Sequence, residues 1–346
     1  MDRFSPAALA LPIVQAPLAG GPSTPALAVA VSAAGGLGFL AAGYKTADAV
    51  AGDVETVRAV TEAPFGVNVF VPDPATADTE AVARYAATLQ HEAGPFGEPR
   101  SDDDDWEAKL ELLHVMRPAV ASFTFGCPSA ATIAALQQNG IAVWVTITTP
   151  TEARAAAHAG ADALVVQGAE AGGHRGSFDD AAPGTIGLLP LLQLAAVETE
   201  LPLIATGGIM TGAGIAAVLA AGASAAQLGS ALMLTPEAGT SAPHRERVAS
   251  EGETALTRAF SGRTARGIVN RFQREHDADA PSAYPEVHHL TAPLRAAART
   301  RGDAEAINLW AGQAHALAQA RPAGELVQAL AADARAALCA AAERAG

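Results

Sequence analysis

The sequence predicts an α/β protein folded as a (β/α)8 barrel of the TIM type, on three observations. Short, uninterrupted apolar runs alternate with Ala-rich helical stretches over the first 240 residues. Glycines fall where each helix must end before the next run begins. The phrases QQNGIAVWV, AHAGADALVV and LAAGASAAQL repeat one pattern, helix then Gly then strand. Strands buried on both faces of a parallel sheet read as continuous apolar runs, and right-handed βα units that repeat eight times close into a barrel. A doubly wound open sheet is the alternative.

The strands are expected at 13–16, 36–40, 66–70, 119–123, 141–147, 163–166, 203–205 and 225–228. Helices are expected at 25–34, 46–60, 129–138, 151–159, 186–197 and 211–221. Thr24-Pro25 and Pro128-Ser129 are start signals, and Gly35, Gly140, Gly160 and Gly222 are stop signals. Two segments break the rhythm. Residues 73–117 are polar and read as an insertion after strand three with two surface helices. Their run Ser101–Asp105 (SDDDD) reads as a solvated helix N-terminus rather than a cation site. Residues 1–240 are therefore expected to form the barrel, and 241–346 a mostly helical C-terminal subdomain covering its mouth.

The 346 residues exceed the ~150 of an average domain, but barrels of ~250 residues fold as one unit. Half of the chain is hydrophobic, which excludes intrinsic disorder. A net charge of −14 without a Lys/Arg cluster excludes nucleic acid and anionic membranes as natural partners. The Ala/Gly-rich stretch 213–234 is long enough to span a bilayer, but Ser224, Gln227 and Ser230 interrupt it, so it reads as a buried helix and a strand. Residues 4–44 carry no charge, yet Pro12 and Pro17 break any signal-peptide core and the MDR flank has no net charge. Two cysteines, Cys127 and Cys339, exclude a disulfide scaffold or a thiolate zinc site, and fit a cytoplasmic protein. The histidines, His288-His289 included, lack metal-ligand spacing, so no metal is expected.

In a barrel the chemistry sits at the C-terminal ends of the strands. After strand six comes Gln167-Gly-Ala-Glu-Ala-Gly-Gly-His-Arg-Gly176, with an imidazole (His174), an acid (Glu170), a guanidinium (Arg175) and four glycines. Such a loop lets backbone N–H groups approach a ligand. Gly207 and Gly208 follow strand seven, and Gln227-Leu228-Gly229-Ser230 ends strand eight. Glycine corners at these two places point to a phosphate group held on backbone N–H groups. Ala16, Pro17 and Leu18 after strand one offer a wall for a flat ring, and Asn68 an amide for a heterocycle edge. Arg175 could orient an anion or pair with an acid such as Glu170. Tyr284 and Trp310 could line an entrance, but read more simply as packing. No Walker or Rossmann glycine motif is present.

These residues together resemble a known family. The segments QAPLAGGPSTPALAVAVSAAGGLGFL, NVF, VQGAEAGGHRG, ATGGI and QLGS, with FSGRTARGIVN and LWAGQ near the C-terminus, resemble the bacterial nitronate monooxygenases, formerly 2-nitropropane dioxygenases. The likeness runs from about residue 11 to 313. Leu18 departs from it, standing where a Met is common, which bears on packing beside a flavin. The resemblance implies FMN in the barrel, its phosphate over Gly208 and Gln227–Ser230. It also implies Asn68, Gln167 and Gly172–Gly173 at the flavin and His174 facing the substrate.

The implied reaction is oxidation of alkyl nitronates by O2 to a carbonyl compound and nitrite. His174 would hydrogen-bond the nitro oxygens or, for a neutral nitroalkane, act as base, a role suited to a pKa near neutrality. Two alternatives keep the barrel: an FMN-dependent NAD(P)H reductase of the enoyl-acyl-carrier-protein or quinone type, and a flavin-binding barrel without turnover.

Overall fold

The computed structural model describes residues 3–73 and 77–345. Its main sheet has eight parallel strands: β1 (Ile13–Gln15), β2 (Gly38–Ala41), β3 (Phe65–Phe70), β4 (Val120–Thr124), β5 (Ala142–Ile147), β6 (Ala163–Gln167), and, after the two-residue β7 (Gly173–His174), β8 (Leu203–Thr206) and β9 (Ala225–Leu228). The order is β1-β9-β8-β6-β5-β4-β3-β2. The ring closes where Gln15 N donates to Leu37 O at 2.8 Å and Leu37 N to Ile13 O at 3.0 Å. An open doubly wound sheet is excluded by that seam. Every barrel strand lies within a few residues of its expected place.

The flanking helices are α1 (Pro25–Ala33), α2 (Ala47–Arg58), α3 (Thr79–Thr88), α4 (Trp106–Met116), α5 (Ala130–Gln138), α6 (Pro150–Ala159), α7 (Leu188–Glu198) and α8 (Gly212–Ala220). Local chemistry sets their starts. Thr24, Ser129 and Thr149 each accept a backbone N–H three residues on, and Thr149 with Glu152 forms a full capping box. The glycines that end α1, α5, α6 and α8 adopt φ between 79° and 100°, a region closed to most side chains.

Side chains alternate in and out along each strand, and this alternation builds the site. Inside the barrel, Val14, Leu37, Phe39, Val120, Ala142, Trp144, Ala163, Val165, Ile204 and Ala225 form one apolar plug. Phe39 fills the space that Gly66 leaves, since a Cβ on Gly66 would meet its ring at 2.2 Å. The next inward residues toward the C-terminal ends are polar: Asn68, Thr124, Thr146, Gln167, Thr206 and Gln227. The apolar plug closes one end of the barrel, and these residues floor a cavity at the other.

The remaining segment is mostly helical, as expected, but adds two short strands. After α9 (Ala242–Val248), strands β10 (Thr254–Thr257) and β11 (Ala265–Ile268) form an antiparallel sheet with β7, so Ala265 pairs with His174. Then come α10 (Arg271–His276), α11 (Glu286–Arg301) and α12 (Ala323–Ala345). Strand β11 escapes a pattern search because Arg266 and Gly267 break its apolar run. Helix α12 also packs elsewhere than over the mouth. Its Leu326, Val327 and Leu330 join the core under α8 and α1, and Gly212 abuts Asp333 and Ala334 so closely that a Cβ there would overlap them. It fills the place in the helical ring that follows β9. No helix among the described residues is long and apolar enough to cross a membrane.

Candidate active site

A cavity of about 380 Å³ opens above the polar floor. One side is made of backbone and small residues: Ala16, Pro17, Leu18, Gly172, Gly173, Gly207, Gly208, Gly229 and Ser230. Gly207 (φ 125°) and Gly208 (φ 67°) turn the chain sharply after β8. Gly172 must lack a side chain, because a Cβ would lie 2.4 Å from the backbone of Ala311 and Gly312. Ser230 Oγ accepts from Gly312 N at 2.9 Å, which ties this corner to the C-terminal segment. Leu228 differs from its neighbours: its side chain is wholly buried in the core outside the barrel and does not line the cavity.

The loop after β6 is organised residue by residue. Glu170 accepts from Leu188 N with both carboxylate oxygens at 3.0 Å, capping α7. Gln167 donates to His174 O (3.0 Å) and accepts from Gly176 N (2.8 Å), so its amide holds the loop in shape. Arg175 is 0% exposed and donates to the carbonyls of Gly184, Gly168 and Gln167 at 3.1, 2.6 and 3.2 Å. It neither lines the cavity nor pairs with Glu170; satisfying buried carbonyls is its task. Asn68 lines the floor while its amide donates to Ser122 Oγ (2.9 Å) and Thr124 Oγ1 (3.0 Å).

His174 faces the cavity from β7, among aromatic rings. Its centroid lies 5.4 Å from Trp310, 5.7 Å from Phe125 and 6.1 Å from Tyr284. Trp310 lines the cavity as well, so these two late aromatics pack on the imidazole itself. His174 Nε2 lies 2.8 Å from Ser261 Oγ, and that hydroxyl donates to Arg263 O at 3.2 Å. The Ser261 hydroxyl thus anchors the ring at Nε2, and no hydrogen bond among the described residues engages Nδ1. Burial, helped by the Arg263 and Arg295 guanidinium groups, pushes His174 down to about 3. A pKa near neutrality, expected from the residue type, does not hold: a charged imidazole would sit in an apolar cage beside two cations.

Several lining residues carry no signature in the sequence. Tyr44 stacks on His288 with centroids 4.1 Å apart, and Phe70 and Phe125 continue the aromatic wall to His174. Arg263 lies 4.0 Å over the Phe125 ring and donates to Ser177 O. Arg295, Arg299 and Asn308 also border the cavity, and both guanidinium groups donate to Asn308 Oδ1. His244, pushed down to about 4 by burial, also lines the cavity, its Nε2 3.1 Å from Trp310 O. Only the helical spacing of His288, Arg295 and Arg299 on α11 could have hinted at a shared face. The Glu92, Glu275 and His276 cluster could geometrically hold a cation, but Arg271 donates to both oxygens of Glu92.

A closed parallel barrel with a deep cavity at its C-terminal end, glycine corners after its last two strands and one caged imidazole defines an α/β-barrel enzyme of small molecules. The chain belongs to the nitronate monooxygenase family, whose sequence profile matches residues 4–333. It is 42% identical to the nitronate monooxygenase of Pseudomonas aeruginosa, over 95% of this chain and 98% of that one. A probable nitronate monooxygenase of Bacillus subtilis is 36% identical over 90% and 92%. A solved nitroalkane oxidase from Streptomyces ansochromogenes is 50% identical, with a TM-score of 0.93, covering 96% of this chain and 98% of its own. FabK from Thermotoga maritima, at 24% identity and a TM-score of 0.79, shares the fold.

Proposed function

We propose that the protein oxidises alkyl nitronates with O2, giving a carbonyl compound and nitrite, with FMN as its cofactor. The observation that carries this reading is a neutral, caged imidazole, His174, opening into the same cavity as the glycine corners after β8 and β9, in a chain of the nitronate monooxygenase family. The lining suits the cofactor: Gly172, Gly207 and Gly208 expose bare backbone on a wall that side chains would distort by crowding Ala311, Ala171 and Glu170, and Gly229–Ser230 add backbone N–H groups for a phosphate. Asn68 and the wall of Ala16, Pro17 and Leu18 would lie against the ring system. When bound, FMN supplies the electron-accepting chemistry and its reoxidation by O2.

The chain's own residues do the rest. The buried guanidinium groups of Arg263 and Arg295 raise the potential around His174 and favour an anionic substrate. An imidazole held at about 3 is a weak base toward a neutral carbon acid, so an already ionised nitronate suits the site better than a nitroalkane. His174 Nδ1 remains free to take a proton at the reacting end, while Ser261 fixes the ring. The rings of Phe125, Trp310 and Tyr284 exclude water from it. We place the covering role in residues 241 to about 310, and the chain in the cytoplasm, where Cys127 and Cys339 stay reduced.

The test is the absorption spectrum of the purified protein, then nitrite release from a panel of nitronates, with anaerobic mixing against NADH. Flavin bands, nitrite formation and bleaching by nitronate alone are expected. Rapid bleaching by NADH would instead mark a reductase, and a yellow protein inert to all of these a binding barrel.

A further inference from the structure

The acidic run Ser101–Asp105 leads into α4 with Asp102, Asp103 and Asp105 exposed, as a solvated helix N-terminus would be, but Asp104 is turned inward. Asp105, the residue before α4, makes no capping hydrogen bond with its side chain. Asp104 instead reaches away from its own helix and accepts from Tyr44 N at 2.9 Å. Its other oxygen pairs at 2.8 Å with Lys109, which is 1% exposed. The sequence has only two lysines, Lys45 and Lys109, and one of them is buried for this contact. Asp102, one turn of loop away, bonds His289 Nε2 on α11. The same segment meets α11 again where Gly97 N donates to Leu290 O at 2.9 Å, so closely that a Cβ on Gly97 would lie 2.2 Å from His289 O.

Both anchored points lead to one wall of the cavity. Tyr44 has φ 67°, a left-handed conformation that a bulky residue holds only when its surroundings impose it. The N–H that this conformation presents is the one Asp104 takes. Tyr44 then stacks on His288, whose neighbour His289 is the residue tethered by Asp102. Tyr44 also meets Phe70 edge-on at 5.5 Å, and Phe70 and Phe125 continue to His174.

We infer that the inserted segment 97–109 is a positioning element for the substrate chamber: Asp104, set by buried Lys109, fixes Tyr44, and Asp102 holds α11 so that His288 stays stacked on it. This deepens the nitronate reading by assigning the residues that set how large a substrate the chamber accepts. Asp104 and Lys109 touch no substrate and act through Tyr44.

Two double variants isolate the contact. D104A/K109M removes the acceptor for Tyr44 N–H without leaving a buried lone cation. D104N/K109M differs from it in restoring a neutral carboxamide at that place, whose oxygen can again accept from Tyr44 N–H. For the flavin-loaded protein, D104A/K109M is expected to raise KM for long-chain nitronates roughly tenfold, with KM for the smallest nitronate and kcat within about twofold. D104N/K109M is expected to return KM to near the wild-type value. Equal KM values for the two variants, or a loss spread evenly over all chain lengths, would overturn the inference.

Hydrogen exchange supplies a readout independent of the reaction. Peptides covering 42–46 and 286–292 should exchange faster in D104A/K109M than in D104N/K109M, with the barrel strands unchanged; identical exchange would refute the positioning role. A wild-type protein that oxidises no nitronate would refute the proposed reaction, and the exchange comparison would still decide the inference.

Discussion

The two sides of the cavity are built by opposite means. On the side of β8 and β9 the wall is backbone: Gly172, Gly207, Gly208 and Gly229, with no charged side chain among them. Around His174 the wall is large rings and a buried cation, drawn from Tyr44, Phe125, Ser261, His288, Arg295 and Trp310, with Arg263 stacked on Phe125. The first suits a group recognised by N–H dipoles and shape. The second suits a small anion handled in a dry, electropositive chamber. The glycine wall comes from three turns within 57 positions, from Gly172 to Gly229, whereas the ring wall gathers residues up to 266 positions apart, from Tyr44 to Trp310.

The largest effect that sharpens this contrast is chemical. His174→Asn should lower turnover of a nitronate by about 10²–10⁴ while flavin content is unchanged, read as nitrite release against the flavin absorbance of the same sample. Equal loss of flavin would mean that the two walls are not separable.

Next comes a residue that belongs to neither wall. Arg175→Ala should cost about 3 kcal/mol of stability, because three buried carbonyls lose their donor. In denaturant titration this shifts the midpoint, and KM for nitronates should stay near its wild-type value. A selective rise in KM would restore the anion-orienting role that the geometry removes.

Gly207→Ala tests the backbone wall. At φ 125° a Cβ is strained, and it would sit 3.2 Å from Ala171 N. Flavin affinity should fall about tenfold, measured by titrating apoprotein with FMN, with kcat of the flavin-saturated enzyme little changed.

The smallest effect concerns pH. Burial holds His174 at about 3 and His244 at about 4, with His288 also well below its ordinary value. A histidine whose folded pKa lies below its unfolded value is neutral in the native state while the unfolded chain takes up the proton. Stability therefore falls as pH drops through about 6.5, by up to about 1.4 kcal/mol per pH unit for each such group, until the folded pKa is reached. Thermal melts between pH 7 and pH 5 should show Tm falling, and His244→Gln should flatten that fall. For the same reason the activity profile should lack a limb near pH 6.5 from His174; a clear limb there would place its pKa near neutrality.

How much of this was legible in the sequence follows from the range of the forces involved. Strand and helix positions depend on neighbours within a few residues, and Thr24, Ser129 and Gly160 act on their own helix ends. Glycine corners are equally local, so Gly207 and Gly208 could be singled out in advance, and His174 stood out in its loop. Leu228 stands beside them in the sequence, but the strand's alternation turns its side chain to the core. The short strands β10 and β11 are hidden in the sequence because they are defined by pairing with each other, and β11 by pairing with the two-residue β7, rather than by pattern.

Sequence alone thus determined the barrel, its βα register and the loop that carries the imidazole, because each rests on periodicity and turn chemistry over short spans. Tertiary structure alone decided the state of that imidazole and the make-up of its chamber. A pKa depends on the summed burial and charge around a point in space, and here that point draws on β7, α11 and the loops that bear Tyr44, Phe125 and Ser261. The same reason explains the inserted acidic run: the sequence shows a string of carboxylates, and only the fold reveals that one of them holds a tyrosine against the cavity wall.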